Sequence, residues 1–166
     1  MTEGKKFEED FKKSIPENCW FYRFKDGTAS WERNEDNSFK ADKTRFQAKN
    51  ICDCQVFNGS NLFLLELKST KSKSLPFSMV RANQIKELTT ASKFSGIVAG
   101  FIVNFRSVNE TYFITIDQFN GFINEGSRKS IPLDYFFHKT IRIDQERKRV
   151  RMRYDLRNFF NKSLIF

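Results

Sequence analysis

The chain predicts an α/β domain built on a mixed β-sheet, because helical and strand-like periods alternate along it. Residues 3–15 carry Phe7, Phe11 and Ile15 at four-residue spacing before Pro16, the pattern of an amphipathic helix stopped by proline. Residues 51–68 read as two strands joined by the turn Asn58-Gly59-Ser60, and residues 97–105 are apolar enough for a central strand. With 166 residues, one domain with a sizeable core is expected over 1–166.

The remaining elements follow in order. Residues 19–24 are rich in aromatics and predict a strand. Residues 25–50 turn polar without a sustained period, which predicts a long loop or projecting insertion. Residues 69–74, S-T-K-S-K-S, form a small polar linker. Within 78–92, Met79, Ala82, Ile85 and Leu88 recur at three-residue steps, predicting a helix N-capped by Ser78 with Gln84 near its middle. Residues 112–116 predict a strand and 117–124 a short helix. From Thr140 the tail alternates around Gln145 to Arg149, predicting a basic hairpin or strand pair and then a short helix near 155–160.

Lys and Arg outnumber Asp and Glu by 29 to 20, a net charge of +9 that suits a polyanionic partner. The longest apolar run, 97–103, is far shorter than the ~20 residues of a membrane span. No secretory pattern opens the chain, so a cytoplasmic protein with no membrane partner is expected. Three cysteines, Cys19, Cys52 and Cys54, then read as buried thiols, the last two flanking Asp53 on the opposite strand face. A zinc site needs four ligands and only His138 could join them. His138 itself reads as a packed or surface residue rather than a base.

The chemistry concentrates in the 51–68 hairpin. Strand residues two apart share a face, so Glu66 and Lys68 point the same way while Leu65 and Leu67 point into a core. Glu66 interrupts an otherwise apolar strand, where a carboxylate is costly unless something pairs with it. Asp53 and Glu66 supply oxygen ligands for a hard cation such as Mg²⁺, and Lys68 lies beside them to orient water or offset phosphate charge. Hydrolysis of a phosphodiester is the reaction this set predicts. The competing reading is a solvated E-x-K ion pair of little consequence. Lys71 and Lys73, just beyond Lys68, suit a DNA backbone or simply a solvated loop. The same two readings hold for the tail arginines Arg142, Arg147, Arg149, Arg151, Arg153 and Arg157.

Six short pieces, G-K-K-F-E (4–8), the Asp53 hairpin, E-L-K-S-T (66–70), S-L-P-F (74–77), N-Q-I (83–85) and G-I-V-A-G-F-I-V-N-F (96–105), together resemble the PD-(D/E)xK nuclease superfamily and, within it, RecU-type Holliday junction resolvases, phage versions included. The resemblance implies a restriction-endonuclease-like core flanked by helices. Asp53 and Glu66 would bind Mg²⁺ or Mn²⁺, Lys68 would assist the nucleophilic water, Gln84 would order water or a phosphate oxygen, and Glu8 would complete the acidic site. A homodimer nicking opposing strands of a four-way junction symmetrically, with no small-molecule cofactor, is the implied assembly. Residues 25–50 would be the family's stalk, with Arg33, Lys40, Lys43, Arg45 and Lys49 on DNA, joined there by Lys71, Lys73 and Arg81. Two positions depart from the family's habit: Cys52 stands where Thr precedes the hairpin Asp, and Ser69 where Glu follows the Lys. Nucleases acting on other duplex or branched DNA, and a non-catalytic DNA-binding protein, remain alternatives at this point.

Overall fold

The computed structural model describes residues 2–24, 31–33, 39–41 and 50–162, with backbone alone for 31–33 and 39–41. Helix α1 (Glu3–Lys12) starts at Thr2, whose Oγ1 accepts the Lys5 N–H, and places Glu3 and Lys12 at the ends its dipole favours. It buries Phe7, Asp10 and Phe11. Strand β1 (Trp20–Arg23) follows, then a two-stranded antiparallel pair, β2 (Trp31–Arg33) with β3 (Phe39–Ala41), inside the polar stretch that local periodicity left structureless. Arg33 and Lys40 lie on this pair; Lys43, Arg45 and Lys49 lie outside the described residues.

Next come β4 (Cys54–Phe57) and β5 (Leu62–Thr70), joined by the turn the sequence predicts. Asn58 Oδ1 accepts the N–H groups of Ser60 and Asn61 at 3.0 and 2.8 Å, and Gly59 takes φ +97°, a left-handed value suited to glycine. After β6 (Ser74–Pro76) a short 3-10 turn covers Phe77–Met79, and α2 (Ala82–Ala91) begins four residues later than the predicted cap. Ser78 is therefore not the cap. Val80 is buried with extended backbone and Arg81 is the N-cap, so core packing of Val80 breaks the apparent three-residue period and moves Gln84 into the helix's first turn.

Strands β7 (Ile97–Phe105) and β8 (Glu110–Thr115) then form an antiparallel pair, and α3 (Ile116–Asn124) is capped by Thr115 and Gln118. Ile116 thus opens the helix instead of closing the strand. Strand β9 (Ser130–Pro132) pairs with β6 across a long sequence interval, and α4 (Leu133–Lys139) follows; neither β6, β9 nor α4 shows a local period that predicts it. The tail divides into β10 (Ile141–Ile143), the hairpin β11 (Gln145–Lys148) and β12 (Arg151–Tyr154), and α5 (Leu156–Asn161) capped by Asp155.

The main sheet runs β1-β4-β5-β7-β8-β10, with β5 and β7 parallel and every other neighbour antiparallel. Side chains alternate across it into two cores. Leu64, Ala99, Phe101, Val103, Tyr112 and Ile114 pack on one face under α2, α3 and α4. Phe63, Leu65, Ile102 and Phe113 pack on the other with Phe7, Phe11, Leu156, Phe159 and Phe160 of α1 and α5. Cys52 belongs to the first core and Cys54 to the second. They do not share a face, because residues 51–53 bend before β4 begins and the period of two fails there.

Two contacts in this frame have measurable weight. A Cβ at Gly100, in the middle of β7, would lie 2.2 Å from the Ile114 carbonyl oxygen and 2.8 Å from the Phe113 ring. Since a sheet backbone cannot yield cheaply, Gly100→Ala is expected to cost about 3 kcal/mol in urea unfolding. Asp10 ties the basic tail to α1: its Oδ2 accepts the Met152 N–H at 3.1 Å and its Oδ1 accepts from Arg151 Nη1 at 3.3 Å. Asp10→Ala leaves a part-buried N–H unpaired, so a loss of about 2 kcal/mol and faster amide exchange at Met152 are expected.

Candidate active site

The site forms where β5 outruns its neighbour. Pairing of β4 with β5 ends at Cys54 and Leu65, while β5 continues to Thr70, so its edge beyond Leu65 lacks a strand partner on that side. The bend at 51–53 fills the gap. Asp53 Oδ2 accepts the Leu67 N–H at 2.8 Å, and the Asp53 carbonyl accepts the Phe24 N–H at 2.9 Å. A carboxylate thereby replaces a ladder carbonyl on the β5 side, while the Asp53 backbone is held by Phe24, just past β1. Asp53 sits on this bend rather than within a strand.

Glu66 and Lys68 share the β5 face turned toward α2. Lys68 Nζ donates to Glu66 Oε1 at 2.7 Å, and only 3% of the Glu66 side chain is exposed. The second oxygen, Oε2, is buried and accepts no hydrogen bond among the described residues. An orphaned carboxylate oxygen inside a protein is costly unless a cation or donor reaches it. Burial pushes the Asp53 carboxyl up to about 7, and the negative charges of Glu66 and Glu8 add to the rise against the Leu67 N–H and Lys68. Two carboxyl groups thus press on one another in a space where a single positive lysine does not satisfy both.

Glu8 reaches this neighbourhood from α1, where its carboxylate pairs with the Arg23 guanidinium of β1. Arg23 was not singled out from sequence; its position opposite Cys54 in the β1–β4 register, one residue from Asp53, is the signal that locates it. Gln84 is buried on α2, and its Oε1 accepts the Arg81 N–H at 3.2 Å, closing the helix's first turn. The structure therefore brings Asp53, Glu66, Lys68 and Glu8 into one electrostatic group and gives Gln84 a capping bond. Lys71, Lys73 and Arg81 are exposed beyond the C-terminal end of β5. His138 is exposed and paired with Asp134 at 3.4 Å.

The donor set fits a hard divalent cation. Two carboxylates with one unpartnered buried oxygen suit an ion that keeps several waters. Among the described residues no group of three or more His, Cys, Asp or Glu forms a closed ligand cluster, and burial, with the charges of Glu66 and Asp53, pushes the Cys52 thiol up to about 12.

Comparison with known proteins agrees with this frame. A family profile described as RecU, Recombination protein U, matches residues 17–155. The SPbeta prophage-derived uncharacterized protein YotM of Bacillus subtilis (strain 168) is 37% identical over 122 residues, covering 71% of this chain and 58% of that protein. The Holliday junction resolvase RecU of Ureaplasma parvum serovar 3 is 28% identical over 112 residues, 68% of this chain and 64% of that one. The alignments therefore span about three fifths of the length of these curated relatives. Hjc of Archaeoglobus fulgidus, a Holliday junction resolvase from an archaeal hyperthermophile, has a solved structure that superposes with a TM-score of 0.51 at 16% identity, covering 84% of this chain and 95% of its own, a likeness of fold. The mixed sheet flanked by helices is of the restriction-endonuclease-like kind. With most of its length matched by the profile and its sheet built in the same way, the chain belongs to the RecU, Recombination protein U, family.

Proposed function

We propose that this chain is a divalent-cation-dependent, structure-selective endodeoxyribonuclease that resolves four-way DNA junctions by paired symmetric nicks, acting as a homodimer of single-domain subunits. The observation that carries the reading is the buried, partnerless Oε2 of Glu66 beside the raised Asp53 carboxyl, with Lys68 on the other Glu66 oxygen. Asp53 and Glu66 would hold Mg²⁺ or Mn²⁺. Such an ion, when bound, supplies charge neutralisation for the phosphate and acidifies water.

The chain's own groups do the rest. Asp53 is held by the Leu67 N–H, so its other oxygen faces the site in a fixed direction. Lys68 is anchored through Glu66 and presents ammonium protons toward the phosphate or the attacking water. Water adds its oxygen to phosphorus, the ester P–O bond breaks, and a proton goes to the leaving oxygen. Glu8 adds negative charge near Asp53, with Arg23 fixing its position. Gln84 would order water or a phosphate oxygen on releasing its bond to Arg81. Lys71, Lys73 and Arg81, which are exposed, with Arg33, Lys40, Lys43 and Arg45 of the 25–50 stalk, would contact the DNA backbone, a role suited to cationic side chains and to a chain of charge +9.

The test compares a mobile four-way junction, a flap and a linear duplex of the same sequence, each with Mg²⁺ and with EDTA. Symmetric paired nicks confined to the junction are expected. Equal cutting of all three would replace junction resolution by general nuclease activity, and binding without cutting would leave a DNA-binding protein.

A further inference from the structure

Edge strand β1 carries an aromatic strip that the proposed chemistry does not use. Trp20 is 53% exposed and Tyr22 47%, and their rings stack at 6.1 Å with 13° between planes. Tyr22 in turn meets Phe24 edge-on at 5.4 Å. Phe57, 42% exposed, lies directly opposite Trp20 in the β1–β4 register. Large rings left half in water are costly, and here they are aligned rather than scattered.

Their face is that of the proposed catalytic groups. In β4, Cys54 and Val56 enter the core under α1, so Gln55 and Phe57 turn to the opposite face, the one shared by Leu64, Glu66 and Lys68. Trp20 and Tyr22 pair with Phe57 and Gln55 and lie on that same face. The strip ends at Phe24, whose N–H is bonded to the Asp53 carbonyl. Aromatics thus lead from the sheet edge to the carboxylates.

We infer that the Trp20–Tyr22 pair is a stacking platform for an unpaired nucleobase at a DNA branch; this rests on the nuclease reading above. Inside a duplex the base faces are covered by their neighbours, so only a base freed at a branch or end offers one to a protein ring. The phosphates flanking it meet a chain of charge +9 with Lys68 on the same face. A second copy of the chain fits less well. Three half-exposed rings amount to on the order of 300 Å², against roughly 800 Å² per partner in a stable protein interface.

The test measures binding in EDTA, where cleavage does not intervene, to a duplex with a central run of unpaired thymidines and to the same duplex fully paired. Trp20→Ala with Tyr22→Ala should weaken binding to the unpaired probe about tenfold and leave the paired duplex within about twofold. Trp20→Phe with Tyr22→Phe should retain most of the affinity. In a Trp31→Phe background, where Trp20 is the remaining indole, the unpaired probe should quench fluorescence. Both rings are exposed on an edge strand, so their truncation spares the core. Equal losses on both probes, no loss on either, or conversion of a dimer to monomer by the alanine pair in sedimentation would overturn the platform. Should the wild type bind a four-way junction but neither probe, or should the alanine pair cleave the junction with unaltered binding, the platform alone falls; should the wild type bind none of the three DNAs, the nuclease reading itself falls.

Discussion

Lys68→Ala and Glu66→Gln should each lower junction cleavage by about a hundred- to a thousandfold, the usual scale for removing one preorganised charge from a transition state. Binding to the junction in EDTA should change little. The expectation rests on the 2.7 Å bond that fixes Lys68 on Glu66 and on the burial of Glu66 and partial burial of Lys68, which leave water a poor substitute for either. Single-turnover cleavage with saturating enzyme separates the chemical step from binding. A Glu66→Gln protein that cuts at the wild-type rate would remove Glu66 from the site, whereas parallel losses of cleavage and binding would mark a structural role.

The second large effect is on stability. With its carboxyl near 7 in the folded chain and 3.8 when unfolded, Asp53 keeps a proton between those values that the unfolded chain has already released. Stability of the metal-free protein should therefore fall as pH rises from about 4 to 7, by up to about 4 kcal/mol. Urea unfolding in EDTA at pH 5 and pH 8 measures it. Asp53→Asn keeps an acceptor for the Leu67 N–H without the charge, so it should flatten the profile and stabilise the protein at pH 8 while abolishing cleavage. Mg²⁺ should restore the wild type at pH 8, since an ion bound only to the folded state stabilises it by mass action. A flat wild-type profile would mean that Asp53 is not pressed by its neighbours.

Much of the frame around the candidate site was legible in the sequence. The four-residue stripe of α1, the Asn58-Gly59 turn and the single carboxylate inside an apolar strand are local signals, and local physics produces each of them. What the sequence hid is non-local. The β6–β9 pair joins segments that share no period, and β10 enters the main sheet through partners on β8. Ser78 resembled a cap because Met79 and Ala82 fall three residues apart, yet Val80 is claimed by the core. Cys52 and Cys54 part to opposite cores because a bend, not a strand, presents Asp53. Arg23 shows its place beside Glu8 only once the β1–β4 register is known.

The most direct measurement is calorimetric titration of the metal-free protein with Mn²⁺, comparing wild type with Glu66→Gln. Saturable binding in the wild type that disappears with the substitution is the predicted result. Mn²⁺ binding of equal strength in both proteins would contradict the assignment of the buried Glu66 oxygen to a cation.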